Sequence, residues 1–402
     1  MGGLDYIYHE VEKPLIPILH EAMWYGVGID PQVLVDLEAG IKDEIEGYRV
    51  RYSPLNLNSG QQVGRLLYEE WQLPKRRTKT GWKTDAETLK ELLPLATGEA
   101  ATFLTDILTY RKLRDEVVKF CTRLHKFTTS DLRIRGSIMQ NGTDTGRMSM
   151  HDPNLMNIPH RTEMGKRLRR CFVPTDGYVL LEADLSQIEL RVEGVLTGDP
   201  YFITPYTTEG GDLHRQTQEA LGEYSLDRVG AKTVNFGVIY EAEAKTLAQS
   251  IGCPVHVAQA LLDDFWSKIQ PTAEYIQRTR YEVARQGYAE TWFGRRRYVK
   301  LDDRMWMRKK QLREAVNMPT QGTAADIFKL LTPYWHRVAH KYNARLLLPI
   351  HDAWLVECPP QCVEELAGEM RHIVQTFLPE FPLPLDCEVK VGMNWTDMEV
   401  VK

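Results

Sequence analysis

The spacing of apolar residues changes repeatedly along this 402-residue chain, and those changes constrain its fold more than any other feature. Residues from about 8 to 125, and again from 212 to 285, place apolar side chains at helical intervals. Residues 133 to about 195 instead hold short apolar runs bounded by turn residues, which is typical of strands. The last segment, 310 to 402, combines a helix with two further runs. This alternation predicts an α+β protein whose sheet is assembled from distant parts of the chain.

The charge balance at first disfavours a nucleic-acid partner. The chain has 50 Lys and Arg against 55 Asp and Glu, a net charge of −5, whereas phosphate binding depends on cationic side chains. The distribution of charge matters more than its sum, however, because the cations collect in short segments. These segments are 75–83, 166–170, 228–232, 295–297 and 308–310. Nucleic-acid binding therefore stays open.

Membrane insertion is disfavoured throughout the sequence. No run approaches the roughly 18 apolar residues of a membrane span, and the first 14 residues carry charges every few positions. Six cysteines are scattered without any C-x-x-C pair, which favours reduced thiols. We therefore expect an intracellular protein, in the cytoplasm or nucleoid, that does not bind a membrane.

Four side chains recur at intervals of four in a helix-compatible stretch, and they are Arg228, Lys232, Phe236 and Tyr240. Four residues turn a helix by about 400°, so these side chains form one slowly drifting stripe about 18 Å long. The two cations lie toward the helix N-terminus, where the dipole favours phosphate, and the two aromatics lie where a base could stack. The stripe suits a nucleoside triphosphate, but also an amphipathic helix whose basic end is solvated.

Two aspartates lie where a carboxylate is costly. Asp184 follows an apolar run at 179–181, and Asp352 lies between apolar runs at 346–350 and 353–356. A carboxylate at the end of a buried strand needs a cation or several donors to offset its desolvation. Two such groups could hold paired Mg²⁺ ions for phosphoryl transfer, although Asp352 alone could be an ordinary turn residue. The sequence has no G-x-x-x-x-G-K-[ST] loop, so a triphosphate would be held by side chains and metal.

These residues belong to segments that resemble the motifs of family A DNA polymerases, the bacterial DNA polymerase I type. The segment 184–191 resembles the first catalytic motif, 228–240 resembles the fingers helix, and His351-Asp352 resembles the third motif. Segments 145–149, 290–297 and 317–326 are also similar to family segments. The resemblance runs in family order from about residue 8 to residue 395.

The resemblance implies an α+β right-hand polymerase with an antiparallel-sheet palm, helical fingers and a helical thumb. The implied domains are an N-terminal segment packing on the palm at 1–27, a thumb at 28–125, palm at 126–210 and 301–402, and fingers at 211–300. We expect this chain to contain no proofreading exonuclease.

The implied activity is template-directed addition of deoxynucleotides to a primer 3′-hydroxyl, with release of pyrophosphate. Asp184, Asp352 and the backbone carbonyl of Leu185 would bind two Mg²⁺ ions, for which Mn²⁺ can substitute. Lys232 would hold phosphate and protonate the departing pyrophosphate. The implied partners are primer-template DNA and dNTPs, bound by a monomer.

The resemblance assigns the remaining site residues to two groups. The first would bind the nucleotide through its phosphates, base or sugar, and it comprises Arg228, His214, Phe236, Tyr240, Glu189 and Gln187. The second would contact primer or template near the new base pair, and it comprises Arg147, Arg161, Arg313, Asn317, Gln321 and His351.

Three positions depart from the family pattern. Ala353 stands where the family usually has Glu, Pro349 replaces a polar residue, and Glu241 replaces Gly. The departures suggest a divergent viral or metagenomic enzyme, which would act in a host cell if viral, or altered fidelity. Two alternatives stay open. One is a nucleic-acid-binding protein whose catalysis has decayed, which the intact aspartates and cations disfavour. The other is a single-subunit RNA polymerase, which Glu189 and Phe236 disfavour.

Overall fold

The structure of the protein is a computed structural model that describes residues 2–79, 81–160 and 162–402. Its α-helices are α1 Leu4–Tyr6, α2 Leu15–Tyr25, α3 Pro31–Arg51, α4 Gly60–Arg65, α5 Ala86–Leu92, α6 Gly98–Glu116, α7 Thr122–Phe127, α8 Glu163–Arg169, α9 Ile188–Thr197, α10 Pro200–Thr207, α11 Leu213–Ala220, α12 Arg228–Ile239, α13 Ala244–Ile251, α14 Val255–Lys268, α15 Gln270–Gln286, α16 Met305–Lys341 and α17 Val363–Thr376.

The strands are distributed over both halves of the chain. They are β1 Val27–Gly28, β2 Arg133–Ile134, β3 Ser137–Met139, β4 Ser149–His151, β5 Val179–Leu185, β6 Tyr288–Glu290, β7 Arg296–Tyr298, β8 Arg345–Ile350, β9 Ala353–Cys358, β10 Cys387–Gly392 and β11 Met398–Val400. Helices predominate and the strands pair antiparallel, so the predicted α+β class is confirmed.

The chain forms two compact units. One contains the residues up to Val27, Arg135–Asn157 and Pro174–Lys402, and the other contains Gly28–Ile134 and Ile158–Val173. The bounds that we predict for thumb, palm and fingers stay predictions.

A five-stranded antiparallel sheet forms the centre of the first unit, in the order β11-β10-β5-β9-β8. Every residue of β9 is buried, and Leu180, Leu181 and Ala183 of β5 are buried as well. Strands β5, β8 and β10 come from separated parts of the chain, as the spacing of the apolar runs predicts. Because β5 lies between β9 and β10, its last residues have neighbours on both sides.

The 37-residue helix α16 packs against α9 and β8 of the same unit. Its middle is buried, including Thr320 and Trp335, and the Thr320 hydroxyl donates to the buried Glu193 carboxylate on α9 at 2.7 Å. Trp354 on β9 also donates to the Thr332 hydroxyl of α16, at 3.0 Å. The first of these buried hydrogen bonds fixes α9, which begins beside the end of β5, against α16, and the second fixes β9 against the same helix.

Helices α9 to α14 contribute to a second apolar cluster in this unit, which includes Phe202, Val234, Leu261 and Phe265. Helix α12 begins at an N-cap, Asp227, whose carboxylate accepts from the Gly230 N–H at 2.6 Å. Capping of this kind fixes where the stripe of Arg228, Lys232, Phe236 and Tyr240 begins.

The second unit is helical. Asp30 caps α3 by accepting from the Gln32 N–H at 2.9 Å, and α3 packs against α6. Both helices bury apolar side chains, Leu34 of α3 and Phe103 of α6 among them. The basic segment at 75–83, in its described residues, is largely exposed and irregular, and the Arg77 guanidinium lies 4.3 Å from the centre of the Trp82 ring.

No helix in the described ranges combines the length and the apolar character that crossing a membrane requires.

Candidate active site

The two aspartates are neighbours at the end of the central strand. Asp184 is the penultimate residue of β5 and lies opposite Ala353, the first residue of β9. The Leu185 N–H donates to the Asp352 carbonyl at 3.0 Å. His351 and Asp352 form the turn between β8 and β9, so the register of the sheet brings together residues that are distant in sequence.

The electrostatics of this pair favour a bound cation. Partial burial and repulsion from Asp352 raise the pKa of Asp184 to about 7, although its side chain still reaches solvent. Burial also raises the pKa of Asp352, against the opposing effect of Arg147. One Asp352 oxygen, Oδ1, is buried and has no hydrogen-bond partner among the described residues. Two carboxylates with an unused buried oxygen form a donor set that fits a divalent cation.

Glu189 is fixed beside this pair by two hydrogen bonds. Its side chain is 5% exposed, and its carboxylate accepts from the Arg147 guanidinium and from the Tyr240 hydroxyl. Arg147 also lies 3.8 Å from the second Asp352 oxygen. Burial raises the pKa of Glu189, and Arg147 opposes that rise. Since Tyr240 directly follows α12, this contact joins the end of that helix to the start of α9 near the aspartates.

The predicted stripe is a helix in the structure. Arg228 begins α12, and its guanidinium pairs with the Asp212 carboxylate at 2.8 Å. The Lys232 ammonium lies 5.9 Å from the centre of the Phe236 ring, and Phe236 packs in part against the apolar cluster that includes Phe202 and Phe265. The Arg228 guanidinium that we expect to bind phosphate is therefore paired with Asp212 in this structure.

His214 begins a buried polar chain between α11 and α12. Its ring is 1% exposed, and its Nδ1 lies 3.0 Å from the Asn235 side-chain nitrogen. The Asn235 oxygen accepts from the Thr217 hydroxyl at 2.8 Å, so the amide presents its NH₂ to the ring. An Nδ1 that accepts a hydrogen bond leaves the proton of a neutral imidazole on Nε2. That Nε2 is buried without a partner in the described part of the chain.

The charge state of His214 follows from its surroundings. Burial, and then the nearby Lys232 ammonium, lower the pKa of His214 to about 4. The ring is therefore neutral at physiological pH and offers a single Nε2–H donor beside the stripe.

Four other residues that we predict to contact nucleotide or DNA lie before α9, in the β8–β9 turn and on α16. Gln187 has a left-handed backbone (φ 55°) before α9, and its side chain accepts from the Tyr206 hydroxyl at 2.9 Å. His351 also has a positive φ, 56°, in the turn that holds Asp352. Gln321 on α16 hydrogen-bonds with Tyr240, and burial leaves the Asn317 side-chain oxygen without a partner among the described residues.

Of the two remaining predicted DNA contacts, Arg313 pairs with Glu243 at 3.1 Å and is partly exposed. The other, Arg161, lies outside the described residues.

Some of the basic side chains in segment 295–297 form ion pairs within the protein. Arg295 is 13% exposed and pairs with Glu12 and with Asp326, the latter at 2.7 Å. Arg297 pairs with Asp144 at 3.0 Å. A count of cations along the sequence therefore overstates what segment 295–297 can offer to phosphate.

Sequence reasoning missed Asp212 and Asn235, the partners of Arg228 and His214. Asp212 caps α11 by accepting from the His214 N–H at 2.9 Å, and an aspartate two residues before His214 is a readable capping signal. Asn235 lies on the buried side of α12 and carries no comparable signal.

The three departures from the family pattern are accommodated in the fold. Ala353 is 5% exposed and pairs with both Asp184 and Ile350 in the sheet. Pro349 lies opposite Trp354. Glu241 has a positive φ of 49°, and its carboxylate pairs with Arg280. Its charge is therefore opposed by an adjacent cation.

Comparison with known proteins gives one consistent family. A model described as DNA polymerase family A matches residues 34–397. The chain is similar to the thermostable DNA polymerase I of Thermus aquaticus (37% identity, 98% of this chain and 48% of that protein) and to DNA polymerase I of Chloroflexus aurantiacus (36% identity, 98% and 44%). The chain thus spans about half the length of the curated relatives it matches.

A solved structure is also similar, and it is the POL domain of Pol1 from M. smegmatis in complex with DNA primer-template and dNTP. Its TM-score is 0.85 and its sequence is 29% identical, with 98% of this chain and 71% of that chain covered. The likeness confirms the predicted right-hand α+β architecture.

Proposed function

Because this chain belongs to DNA polymerase family A, we propose that it is a template-directed DNA polymerase. It adds deoxynucleotides to the 3′-hydroxyl of a primer and releases pyrophosphate, with dNTPs and primer-template DNA as its substrates. The observation that carries the proposal is the carboxylate pair of Asp184 and Asp352 at the end of β5, with one buried oxygen left unused. We further propose that it acts as a monomer within the cell.

Family A polymerases are metal-dependent. We assign two Mg²⁺ ions to Asp184, Asp352 and the backbone carbonyl of Leu185, and we expect Mn²⁺ to substitute. All three groups are hard oxygen donors, which these cations prefer. Bound ions of this kind neutralise charge on the attacking and leaving oxygens of a phosphoryl transfer.

Three side chains bind the triphosphate in this proposal. Arg228 exchanges the Asp212 carboxylate, now at 2.8 Å, for a phosphate, since both accept charge-assisted hydrogen bonds from a guanidinium. Lys232, one turn further along α12, neutralises phosphate and donates a proton to the departing pyrophosphate. The buried His214 adds a neutral Nε2–H donor.

The base and sugar are recognised at the other end of α12. Phe236 stacks on the incoming base, and Tyr240 guards the template position. Glu189 restricts space at the sugar 2′ position and is held there by Arg147 and Tyr240. Gln187, fixed by Tyr206 at 2.9 Å, completes the nucleotide side of the site.

Primer and template contacts come from the surrounding elements. The proposed residues are Arg147, Arg161, Arg313, Asn317, Gln321 and His351. Arg147 also balances the Asp352 charge at 3.8 Å, so its position is coupled to that of the carboxylates. We retain thumb 28–125, palm 126–210 and 301–402, and fingers 211–300 as proposed domains, with 1–27 packing on the palm.

Primer extension with Mg²⁺ tests the proposal. Asp184→Asn and Asp352→Asn keep the side-chain shape but remove the charge. Each should lower the extension rate at least about 1,000-fold, since metal stabilisation is worth several kcal/mol. Binding of fluorescent primer-template should be largely retained. The exposed Asp176→Asn is a matched control that should extend normally.

The same assay separates the alternatives. Extension by either active-site variant at the control rate would refute the assignment of the carboxylates. Wild-type protein that binds primer-template without extending it would support the binding-only alternative. Preferential incorporation of rNTPs over dNTPs would support the RNA polymerase alternative.

A further inference from the structure

Three potential metal ligands meet where α2 packs on α16, and none of them belongs to the carboxylate pair. Glu21 lies on α2, and His336 and His340 lie one turn apart on α16. Their ligand atoms all lie within 4.8 Å of one another. In the part of the chain that the structure describes, this is the one such group of three.

The ligand atoms of these three side chains lie close enough together to surround a single metal ion. The His336 Nε2 lies 2.7 Å from one Glu21 oxygen, and the His340 Nε2 lies 3.0 Å from the other. The two Nε2 atoms lie 3.0 Å apart. Tetrahedral zinc with Zn–N bonds of about 2.0–2.1 Å separates its nitrogen ligands by about 3.3 Å. A small outward movement of the side chains would therefore admit the ion.

The surrounding structure holds the three ligands in place. On α2 the neighbours of Glu21 include the buried Ala22, and on α16 His336 follows Trp335, whose ring is buried and donates to the Met370 carbonyl at 3.1 Å. Tyr25 hydrogen-bonds to Glu21 and so orients the carboxylate. Carboxylates that bind metal ions are usually oriented by a hydrogen bond of this kind.

Exposure of the group allows an ion to enter. The Glu21 and His336 side chains are 28% and 24% exposed, and His340 is 52% exposed. Three protein ligands with an open side leave a further coordination position for water.

We propose that Glu21, His336 and His340 form a binding site for a divalent transition-metal ion of the zinc class, which links α2 to α16. Imidazole nitrogen suits Zn²⁺, Ni²⁺ and Cu²⁺, whereas Mg²⁺ prefers oxygen, so this site is chemically distinct from the carboxylate pair. The ion joins segments more than 300 positions apart in sequence, and it therefore stabilises the packing of α2 on α16.

Zinc binding to the metal-free, full chain tests the proposal. We use the Asp352→Asn background, so that the carboxylate pair does not compete for the ion. One Zn²⁺ should bind per chain, and X-ray absorption should show nitrogen and oxygen ligands. His336→Ala and His340→Ala should each weaken binding by at least about 100-fold, and Glu21→Gln by about 10- to 100-fold. The exposed His256→Ala, on α14, is the matched control and should bind normally.

Thermal unfolding gives a second readout. Zn²⁺ should raise the Tm of the parent chain and of His256→Ala, but not that of His340→Ala. His340 is half exposed, so its replacement should leave the Tm of the metal-free protein unchanged. An unchanged Tm would show that the variant is folded. Sulfur ligands in the absorption spectrum, or undiminished zinc binding by both histidine variants, would overturn the proposal. Absence of stoichiometric zinc binding by the parent chain would overturn it as well.

Discussion

Replacement of His214 tests the proposal that this buried, neutral histidine helps to bind the nucleotide. His214→Phe keeps a ring in the pocket but removes the Nε2–H donor. A hydrogen bond to a charged group is worth about 1.5–3 kcal/mol, so kcat/KM for dNTP should fall by about 10- to 150-fold. Single-nucleotide insertion at varied dNTP concentration measures this ratio.

Two conservative variants separate the donor from the shape of the side chain. The terminal NH₂ of His214→Gln reaches about as far as Nε2, whereas that of His214→Asn corresponds to Nδ1, which faces Asn235. We therefore expect Gln to restore most of the lost activity and Asn to restore little. Equal activity of the Gln and Asn variants would contradict the assigned tautomer.

The pH dependence distinguishes a neutral donor from an imidazolium. With a pKa of about 4, His214 stays neutral from pH 6 to pH 9, so the ratio of wild-type to His214→Phe activity should be constant over that range. A ratio that declines as the pH rises through 6 to 7 would mean that His214 acts as a cation, and it would refute the reasoning.

The same lowered pKa affects stability. In the unfolded chain the His214 ring has an ordinary pKa near 6.5, so it binds a proton that the folded chain rejects. The free energy of unfolding is therefore unaffected by protonation of His214 above about pH 6.5, and it falls by about 3 kcal/mol in all as the pH is lowered toward 4. Denaturant unfolding should therefore show a smaller loss of stability over this range for His214→Phe than for the wild type.

Three further predictions concern neighbouring residues. Phe236→Tyr should ease dideoxynucleotide incorporation, because it adds a hydroxyl where the missing 3′-hydroxyl would lie; an unchanged ddNTP/dNTP ratio would count against the stacking assignment. Glu189→Ala should admit ribonucleotides by opening space at the 2′ position, and rNTP incorporation at the wild-type level would place sugar selection elsewhere. Glu241→Gly and Glu241→Ala both lose the Arg280 pair, but only Ala keeps a side chain at a φ of 49°. Gly should therefore be more stable than Ala by about 1–2 kcal/mol in denaturant unfolding, and equal stability would exclude backbone strain there.

The elements of the site could be predicted from the sequence where a local pattern determines them. The four-residue spacing predicts the α12 helix, and the apolar runs predict that Asp184 and Asp352 lie at strand ends. The closeness of the two aspartates is not in either run, since it depends on which strands pair. In this case the resemblance to a family, rather than the periodicity, supplied the expected pairing.

The partners of the cations could not be predicted in this way. Arg228 and Arg295 look equally available in the sequence, yet Arg228 is exposed beside Asp212, whereas Arg295 is held between Glu12 and Asp326. The difference arises from tertiary packing, which buries Arg295 between two carboxylates and leaves Arg228 exposed beside one. Local charge patterns therefore predict the presence of a basic segment better than its accessibility.

The absence of a third carboxylate after Asp352 can be understood from the charge balance of the site. Asp184, Asp352 and Glu189 carry three formal negative charges, and Arg147 offsets one of them. Residues paired across antiparallel strands share a face of the sheet, so a glutamate in place of Ala353 would project on the same side as Asp184. It would raise the pKa of Asp184 further above about 7 and increase the repulsion in the metal-free site. With alanine, the two divalent cations that we propose would more than neutralise the group, and the excess positive charge would be available to a triphosphate. The two aspartates are therefore sufficient, on electrostatic grounds, for the proposed chemistry.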